Sequence, residues 1–347
     1  MPKPEKTRAM KISVLSDGGW GTALALLLTA NGHQVSLWGP FPDYVAEMRR
    51  CRENSRFLPG VPLPPTLELE ADLATATAGR ELLVLAAPSQ YMRGLLEKLA
   101  ALPPRRATPL VNVAKGIEVK SLKRMSELVA ELLGPGRPYA VLSGPSHAEE
   151  VGRRVPTAVV AASTDPAVAA TVQEAFMNPA FRVYTASDVT GVELGGALKN
   201  VLAIAAGICD GMGGGDNTKA ALMTRGITEL ARLGKALGGR PQTFFGLSGI
   251  GDLIVTCTSR HSRNRHVGEE LGKGRQLPEI QREMGLAVAE GVTTAESAFR
   301  LARQAAADTP IIDQVHAVLY AGKEPRQAMA DLMARQAKPE LPDDFLA

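Results

Sequence analysis

The stretch Ser16-Asp17-Gly18-Gly19-Trp20-Gly21 constrains this chain more than any other. Before it, Met10-Lys11-Ile12-Ser13-Val14-Leu15 is a short apolar run with β-branched members, which predicts a buried strand. After it, the apolar run from Thr22 ends at Gly32, which predicts a helix closed by glycine. Strand, Gly-rich turn and apolar helix form the context in which a dinucleotide's pyrophosphate is held. Gly18 lets backbone approach a phosphate. Gly21 lets the helix pack close to the strand, and free N–H groups at the helix start would hold the phosphate charge. Ser16 stands where the first glycine of a GxGxxG pattern belongs, so the motif by itself leaves a plain strand–helix turn as an alternative.

A chain of 347 residues is long for one compact core, which predicts two domains. The net charge of +3 is too near balance to indicate a nucleic-acid or membrane partner, and the scarcity of aromatic residues argues against base-stacking platforms. Cys51, Cys209 and Cys257 are odd in number, widely separated and without a CxxC pair. They read as reduced thiols in a cytoplasmic protein with no metal site. Residues 1–9 read as a frayed polar tail rather than a signal peptide. No apolar run is expected to reach membrane-spanning length.

Further strands are expected at 34–38, 81–87, 108–113, 139–142, 157–161 and 181–185. Helices are expected from Asp43 to Arg52, from Pro88-Ser89, from Ser121 to Leu133 and from Asp165-Pro166. Asn54 to Pro65 reads as a proline-rich loop. This alternation predicts a mostly parallel sheet covered on both faces. After Tyr184 no strand is expected. Thr190-Gly191-Val192-Glu193 has capping-box spacing and opens a long helix to about Cys209. A glycine-rich break follows at 207–215, then a helix from Asp216 to Gly238 and a tight turn at 246–253. Ser262 is placed to cap a helix, and further helices follow Glu290-Gly291 and Thr309-Pro310. The predicted architecture is α/β: a Rossmann-like doubly wound domain over 10–189, then an all-helical domain over 190–347.

Candidate chemistry clusters at strand ends. Lys115-Gly116 follows a strand at the sheet edge where ligands bind, though a surface loop lysine fits the position equally well. His147, in the turn Ser143-Gly144-Pro145-Ser146-His147-Ala148, reads as an acid–base group or as a structural histidine. Gly195, Gly196 and Lys199 share one helix face, where the two glycines make a notch for the ammonium. So apolar a helix is largely buried, and a buried ammonium needs a function or a partner such as Asp252 or Glu193. Ser262, Arg263 and Asn264 at a helix start read as a phosphate site or as a solvated basic turn.

Taken together, several segments resemble the bacterial NAD(P)-dependent glycerol-3-phosphate dehydrogenases over nearly the whole chain. They are Gly18 to Ala25, Phe57-Leu58-Pro59, Lys115-Gly116, Ser143-Gly144-Pro145-Ser146, Leu194 to Val201, Thr224-Arg225-Gly226, Gly251-Asp252-Leu253, Ser262-Arg263-Asn264-Arg265 and Glu290-Gly291. The resemblance implies a helical domain like that of 6-phosphogluconate dehydrogenase. It also implies reduction of dihydroxyacetone phosphate to sn-glycerol 3-phosphate with NADH or NADPH, for glycerophospholipid synthesis. Lys199 and Lys115 are the implied catalytic residues, with Lys199 as proton donor. Gly18, Gly19, Trp20, Gly21, Lys115, Ala148, Arg263, Val288 and Glu290 are implied for the cofactor. Lys115, Gly144, Ser146, Lys199, Asn200, Asp252, Thr256, Ser262, Arg263 and Asn264 are implied for the substrate. No nucleic-acid or membrane partner is implied, and a homodimer is possible.

The chain departs from the family at several points. Ser16 and Asp17 replace the usual Gly-Ala, which strains the turn and puts a carboxylate near the phosphates. His147 replaces a common aromatic residue, and Pro40 stands where a basic residue is frequent. The loop after Trp38 carries neither an acid for ribose hydroxyls nor an adjacent arginine for a 2′-phosphate, which predicts use of both cofactors. Arg49 and Arg50 read as a solvated face. Two alternatives stay open: another two-domain dehydrogenase of the same superfamily, such as a 6-phosphogluconate-type or ketopantoate-type enzyme, and a nucleotide-binding sensor without turnover.

Overall fold

The computed structural model describes residues 8–103, 107–285 and 288–340. Most of the expected tail, residues 1–7, lies outside the described residues. The strands are β1 (Lys11–Leu15), β2 (Gln34–Trp38), β3 (Glu53–Asn54), β4 (Leu58–Pro62), β5 (Glu68–Glu70), β6 (Leu82–Leu85), β7 (Leu110–Asn112), β8 (Tyr139–Ser143), β9 (Thr157–Ala162) and β10 (Phe181–Ala186). Eight of them form one sheet in the order β10-β9-β8-β7-β6-β1-β2-β5. All neighbours pair in parallel except β8 with β9. The central strands are buried along nearly their whole length, as apolar runs covered on both faces must be.

From β1 the chain builds outward through β2 to β5. It then crosses back to β6 on the other side of β1. The switch point between β1 and β6 is where such sheets open a crevice at their carboxyl ends. The turns after β1, β6, β7 and β8 carry Ser16–Gly18, Pro88-Ser89, Lys115 and Gly144 to that one edge.

The helical half is built on the helix Val189–Gly211, buried continuously from Gly191 to Cys209. Asp188 caps it, accepting from the Gly191 N–H at 2.9 Å and anchoring Arg240 N–H and Thr243 Oγ1 with its other oxygen. The expected capping box at Thr190 does not form. Glu193 instead accepts from Arg124, Ser126 and Tyr139 across the half-to-half contact. The helix also runs through the expected break at Gly207. Gly207 and Gly211 face Gly268 and Gly272 of the helix Arg263–Gly272, and a Cβ on any of the four would collide with a backbone carbonyl of the other helix. These glycines set backbone-to-backbone packing rather than a turn. By length and composition alone Val189–Gly211 could cross a membrane, against the expectation of no such run, yet every residue of its most apolar window is buried inside the protein.

Three further expectations are corrected. The proline-rich loop holds the antiparallel pair β3–β4, and β5 was not anticipated. The helix expected from Ser121 starts at Met125, because Leu122 takes a left-handed turn (φ 60°) and Arg124 N–H is capped by Glu127. The turn at 246–253 is a wide helical turn, Leu247–Gly251, leading directly into the helix Asp252–Thr258.

Candidate active site

Where the central helix meets the sheet edge, two lysines share one carboxylate. Lys199 Nζ lies 2.7 Å from Asp252 Oδ1, and Lys115 Nζ lies 2.7 Å from Asp252 Oδ2. The Asp252 side chain is 2% exposed and the Lys199 side chain 7%, so the group of three sits out of bulk water with a net charge of +1. The helix Asp252–Thr258 supplies a second acceptor one turn on: Lys199 donates to Thr256 Oγ1 at 2.6 Å, and that hydroxyl donates to the Asp252 carbonyl. Burial and the neighbouring Lys115 charge push Lys199 down to about 8, with Asp252 pulling the other way. Burial alone would raise Asp252, but the two ammoniums outweigh it and hold the carboxyl below its usual range.

An ammonium has three N–H donors. Lys115 donates to the Gly144 carbonyl at 2.9 Å and to Ser146 Oγ at 3.2 Å, and its contact with Asp252 Oδ2 at 2.7 Å is an ion pair outside hydrogen-bond geometry. Lys199 spends two, on Asp252 and Thr256. Its third N–H has no acceptor among the described residues. Gly144 has φ 143°, and a Cβ there would press on the backbone of Val159, so glycine is required to aim its carbonyl at Lys115. The expected notch is used differently. Gly195 makes room for the Ser248 backbone, and Gly196 for Ser143 Oγ and the Lys115 stem, while the Lys199 ammonium goes to Asp252.

Asn200 and Asn264 form a strap. Asn200 Nδ2 donates to the Lys115 carbonyl at 3.3 Å, its Oδ1 accepts from Asn264 Nδ2 at 2.9 Å, and Asn264 Oδ1 accepts from Gly291 N–H at 2.8 Å. This ties the lysine loop to three helices of the helical half. Next along, Glu290 Oε1 accepts from Ser89 N–H at 3.0 Å at the end of β6. In sequence Ser89 signals only a helix start, and no local pattern pairs it with a residue 201 positions away. Val288 is half-buried just before this helix.

The β1 turn fits a pyrophosphate. Gly18 gives the first helix no side-chain cap, leaving its leading N–H groups open. A Cβ on Gly19 would lie 2.5 Å from the Phe57 carbonyl, and one on Gly21 would collide with the Ser16 carbonyl, so the backbone is as close-set as this turn needs. Ala148 borders Gly19, and Trp20 keeps a buried Nε1–H without a partner among the described residues. Ser16 has φ 127°, a region rare for any residue but glycine, so the expected strain is present. Asp17 corrects another expectation: its carboxylate turns away to pack on Gly39 after β2.

Ser262 caps the helix Arg263–Gly272 by accepting from Arg265 N–H. Arg263, the first residue of that helix, is exposed and has no hydrogen bond or ion pair among the described residues. Arg49 donates to the Leu69 carbonyl, and so braces β5 rather than lying free. His147 is half-buried beside His261, and its desolvation together with the Lys199 and Lys115 charges lowers its pKa, which disfavours the charged form that would donate a proton. Among the described residues no His, Cys, Asp and Glu cluster suits a metal ion.

Comparison with known proteins agrees with this geometry. The model of the NAD-dependent glycerol-3-phosphate dehydrogenase N-terminus matches residues 11–169, and that of the C-terminus matches 188–330. The chain is 53% identical over 332 residues to glycerol-3-phosphate dehydrogenase [NAD(P)+] of Geobacter sulfurreducens, covering 95% of this chain and 98% of that protein. It is 49% identical to the enzyme of the same name from Chlorobium phaeobacteroides, covering 96% and 99%. The crystal structure of glycerol-3-phosphate dehydrogenase from Coxiella burnetii superposes with a TM-score of 0.90 at 39% identity, covering 94% of this chain and 99% of that one. With both family models matched in order and relatives of this identity spanning almost the whole length, the chain belongs to the NAD-dependent glycerol-3-phosphate dehydrogenase family.

Proposed function

We propose that this protein reduces dihydroxyacetone phosphate to sn-glycerol 3-phosphate, reversibly, to feed glycerophospholipid synthesis. The observation that carries the reading is the Lys199–Asp252–Lys115 group at the sheet edge. When bound, a reduced nicotinamide would supply the hydride for the C2 carbonyl carbon. As the C=O electron pair moves onto oxygen, the third N–H of Lys199 gives that oxygen its proton, leaving a neutral amine that solvent reprotonates. Lys115, held by the Gly144 carbonyl, Ser146 Oγ and the charge of Asp252, keeps a positive charge beside the developing oxyanion. Asp252 holds both lysines in place and keeps Lys199 protonated near neutral pH. Thr256 orients the Lys199 ammonium, and Asn200 and Asn264 fix the loop that carries Lys115.

At the far end of the substrate, the open guanidinium of Arg263 and the helix start behind it take the phosphate, with Ser262 shaping that start. Gly144 and Ser146 complete the wall beside Lys115. Gly18 to Gly21, Ala148, Val288 and Glu290 are assigned to the nicotinamide dinucleotide. In this reading 10–189 binds the cofactor and 190–347 closes over the substrate. We take the protein to work in the cytoplasm, a reading that rests on its cysteine usage and family resemblance, and light scattering tests whether it forms a homodimer.

The deciding experiment follows absorbance at 340 nm, as oxidation of NADH or NADPH by dihydroxyacetone phosphate and by ketopantoate, and as reduction of NAD+ or NADP+ by 6-phosphogluconate. Turnover with the first alone supports the proposal. Turnover with another substrate, or binding of NADH with no turnover at all, refutes it.

A further inference from the structure

The loop after β2 lacks the acid that usually receives the adenosine ribose in this fold. The structure brings an acid to the same place by another route. The Asp17 side chain leaves the β1 turn and lies directly over Gly39, the residue that follows β2, where a Cβ would collide with Asp17 Oδ2. Asp17 is 4% exposed, and its Oδ2 has no hydrogen-bond partner among the described residues. Its placement is built rather than incidental. The Asp17 carbonyl accepts from Asn54 Nδ2 at 2.7 Å and from Thr22 Oγ1 at 3.3 Å, and Asn54 is itself held by Tyr44 and Phe57 N–H. Gly39 N–H is fixed on the Glu70 carbonyl of β5. Burial pushes the Asp17 carboxyl up to about 6, against the pull of its own backbone and of Arg56, so it is still mostly ionised at neutral pH.

A buried carboxylate oxygen without a donor is costly, and such oxygens normally find partners. A swing of the side chain would turn that oxygen outward to the hydroxyls of a ribose lying across the end of β2, whereas a 2′-phosphate would set a dianion against the acid. We propose that Asp17 stands in for the missing β2 acid as the group that receives the adenosine ribose hydroxyls, and so makes this protein favour NADH over NADPH. The proposal rests on the nicotinamide-dinucleotide reading of the β1 turn. It sharpens the expectation, drawn from the bare loop after Trp38, that both cofactors are used.

The test is direct binding. NADH and NADPH are titrated separately into wild type, Asp17→Ala and Asp17→Asn while nucleotide fluorescence is followed, with thermal melting as a check on folding. Wild type is expected to bind NADH about tenfold or more tighter than NADPH, the discrimination one charge-assisted contact can command. In Asp17→Ala the ratio should fall to within about threefold, with NADH losing affinity and NADPH gaining it. Asp17→Asn keeps the side-chain shape, so a fall in its ratio assigns the effect to charge, and it decides the question if the alanine variant melts abnormally. A wild-type ratio near one, or an unchanged ratio in both variants, overturns the proposal while leaving the family's chemistry intact. Failure of wild type to bind either nucleotide overturns the reading of the turn itself, and this inference with it.

Discussion

Replacing Asp252 with asparagine removes the counter-charge from two buried ammoniums and changes almost nothing in shape. Two charges about 4 Å apart at an effective dielectric constant of about 20 interact by about 4 kcal/mol, which is about three pKa units. Lys199 stands at about 8 with Asp252 in place, and Asp252 raises it. Without that support Lys199 should titrate at about 5, and the cluster regains its net charge of +1 by losing the Lys199 proton. Proton donation needs the protonated form, so the rate of ketone reduction holds below the Lys199 pKa and falls above it. Wild-type kcat/KM should therefore decline as pH rises through about 8. At pH 7.5 Asp252→Asn should be slower by about two to three powers of ten, because so small a fraction of Lys199 stays protonated. The assay is kcat/KM for dihydroxyacetone phosphate across pH 5 to 9. The variant should recover about tenfold per unit of acidification until it levels off near its own Lys199 pKa of about 5. A limb that stays at the wild-type position, whether the rate is normal or uniformly low, would refute the claim that Asp252 sets the charge of Lys199.

Arg263→Ala should raise KM for dihydroxyacetone phosphate roughly thirtyfold or more, since one phosphate dianion loses a charge-assisted fork. KM for NADH is expected to rise less, and an unchanged substrate KM removes Arg263 from the phosphate site. Ser16→Gly should raise thermal stability by about 1 kcal/mol by relieving the φ of 127°, part of the gain being cancelled by glycine's freedom in the unfolded chain. A melting temperature that is unchanged or lower would show that the turn stores no strain at Ser16.

The parallel sheet was legible because its strands are buried on both faces and so read as unbroken apolar runs. β3, β4 and β5 were not, since they are short and Pro59, Pro62, Pro64 and Pro65 mask any alternation. Glycine misled in one place for a clear reason: Gly207 looks like a helix breaker in sequence, and only the facing Gly268 and Gly272 reveal it as a packing surface. At the site, Lys199 stood out because an ammonium inside so apolar a helix requires an explanation. Of the two acids weighed as its partner, Asp252 takes it, while Glu193 is occupied by Arg124, Ser126 and Tyr139. What local pattern could not supply was the sharing of Asp252 with Lys115, or the strap from Asn200 through Asn264 to Gly291, because those contacts join segments far apart in the chain. Asp17 departs from the family in sequence, but its direction depends on the fold of the turn, and the carboxylate expected near the phosphates lies on Gly39.

The central claim is that the third N–H of Lys199 delivers the proton, and Lys199→Met tests it most directly. Methionine keeps the length and apolar stem in a pocket where the lysine side chain is 7% exposed, so packing should survive. Removing the ammonium also relieves Asp252 of one partner while Lys115 still neutralises it. The predicted result is a near-normal melting temperature, retained NADH binding and a loss of about 10² to 10⁴ in kcat for dihydroxyacetone phosphate, the range a positioned general acid contributes. Turnover within tenfold of wild type would contradict the account and pass the role to Lys115. A collapse in melting temperature with turnover little changed would mark Lys199 as a structural counter-ion to Asp252.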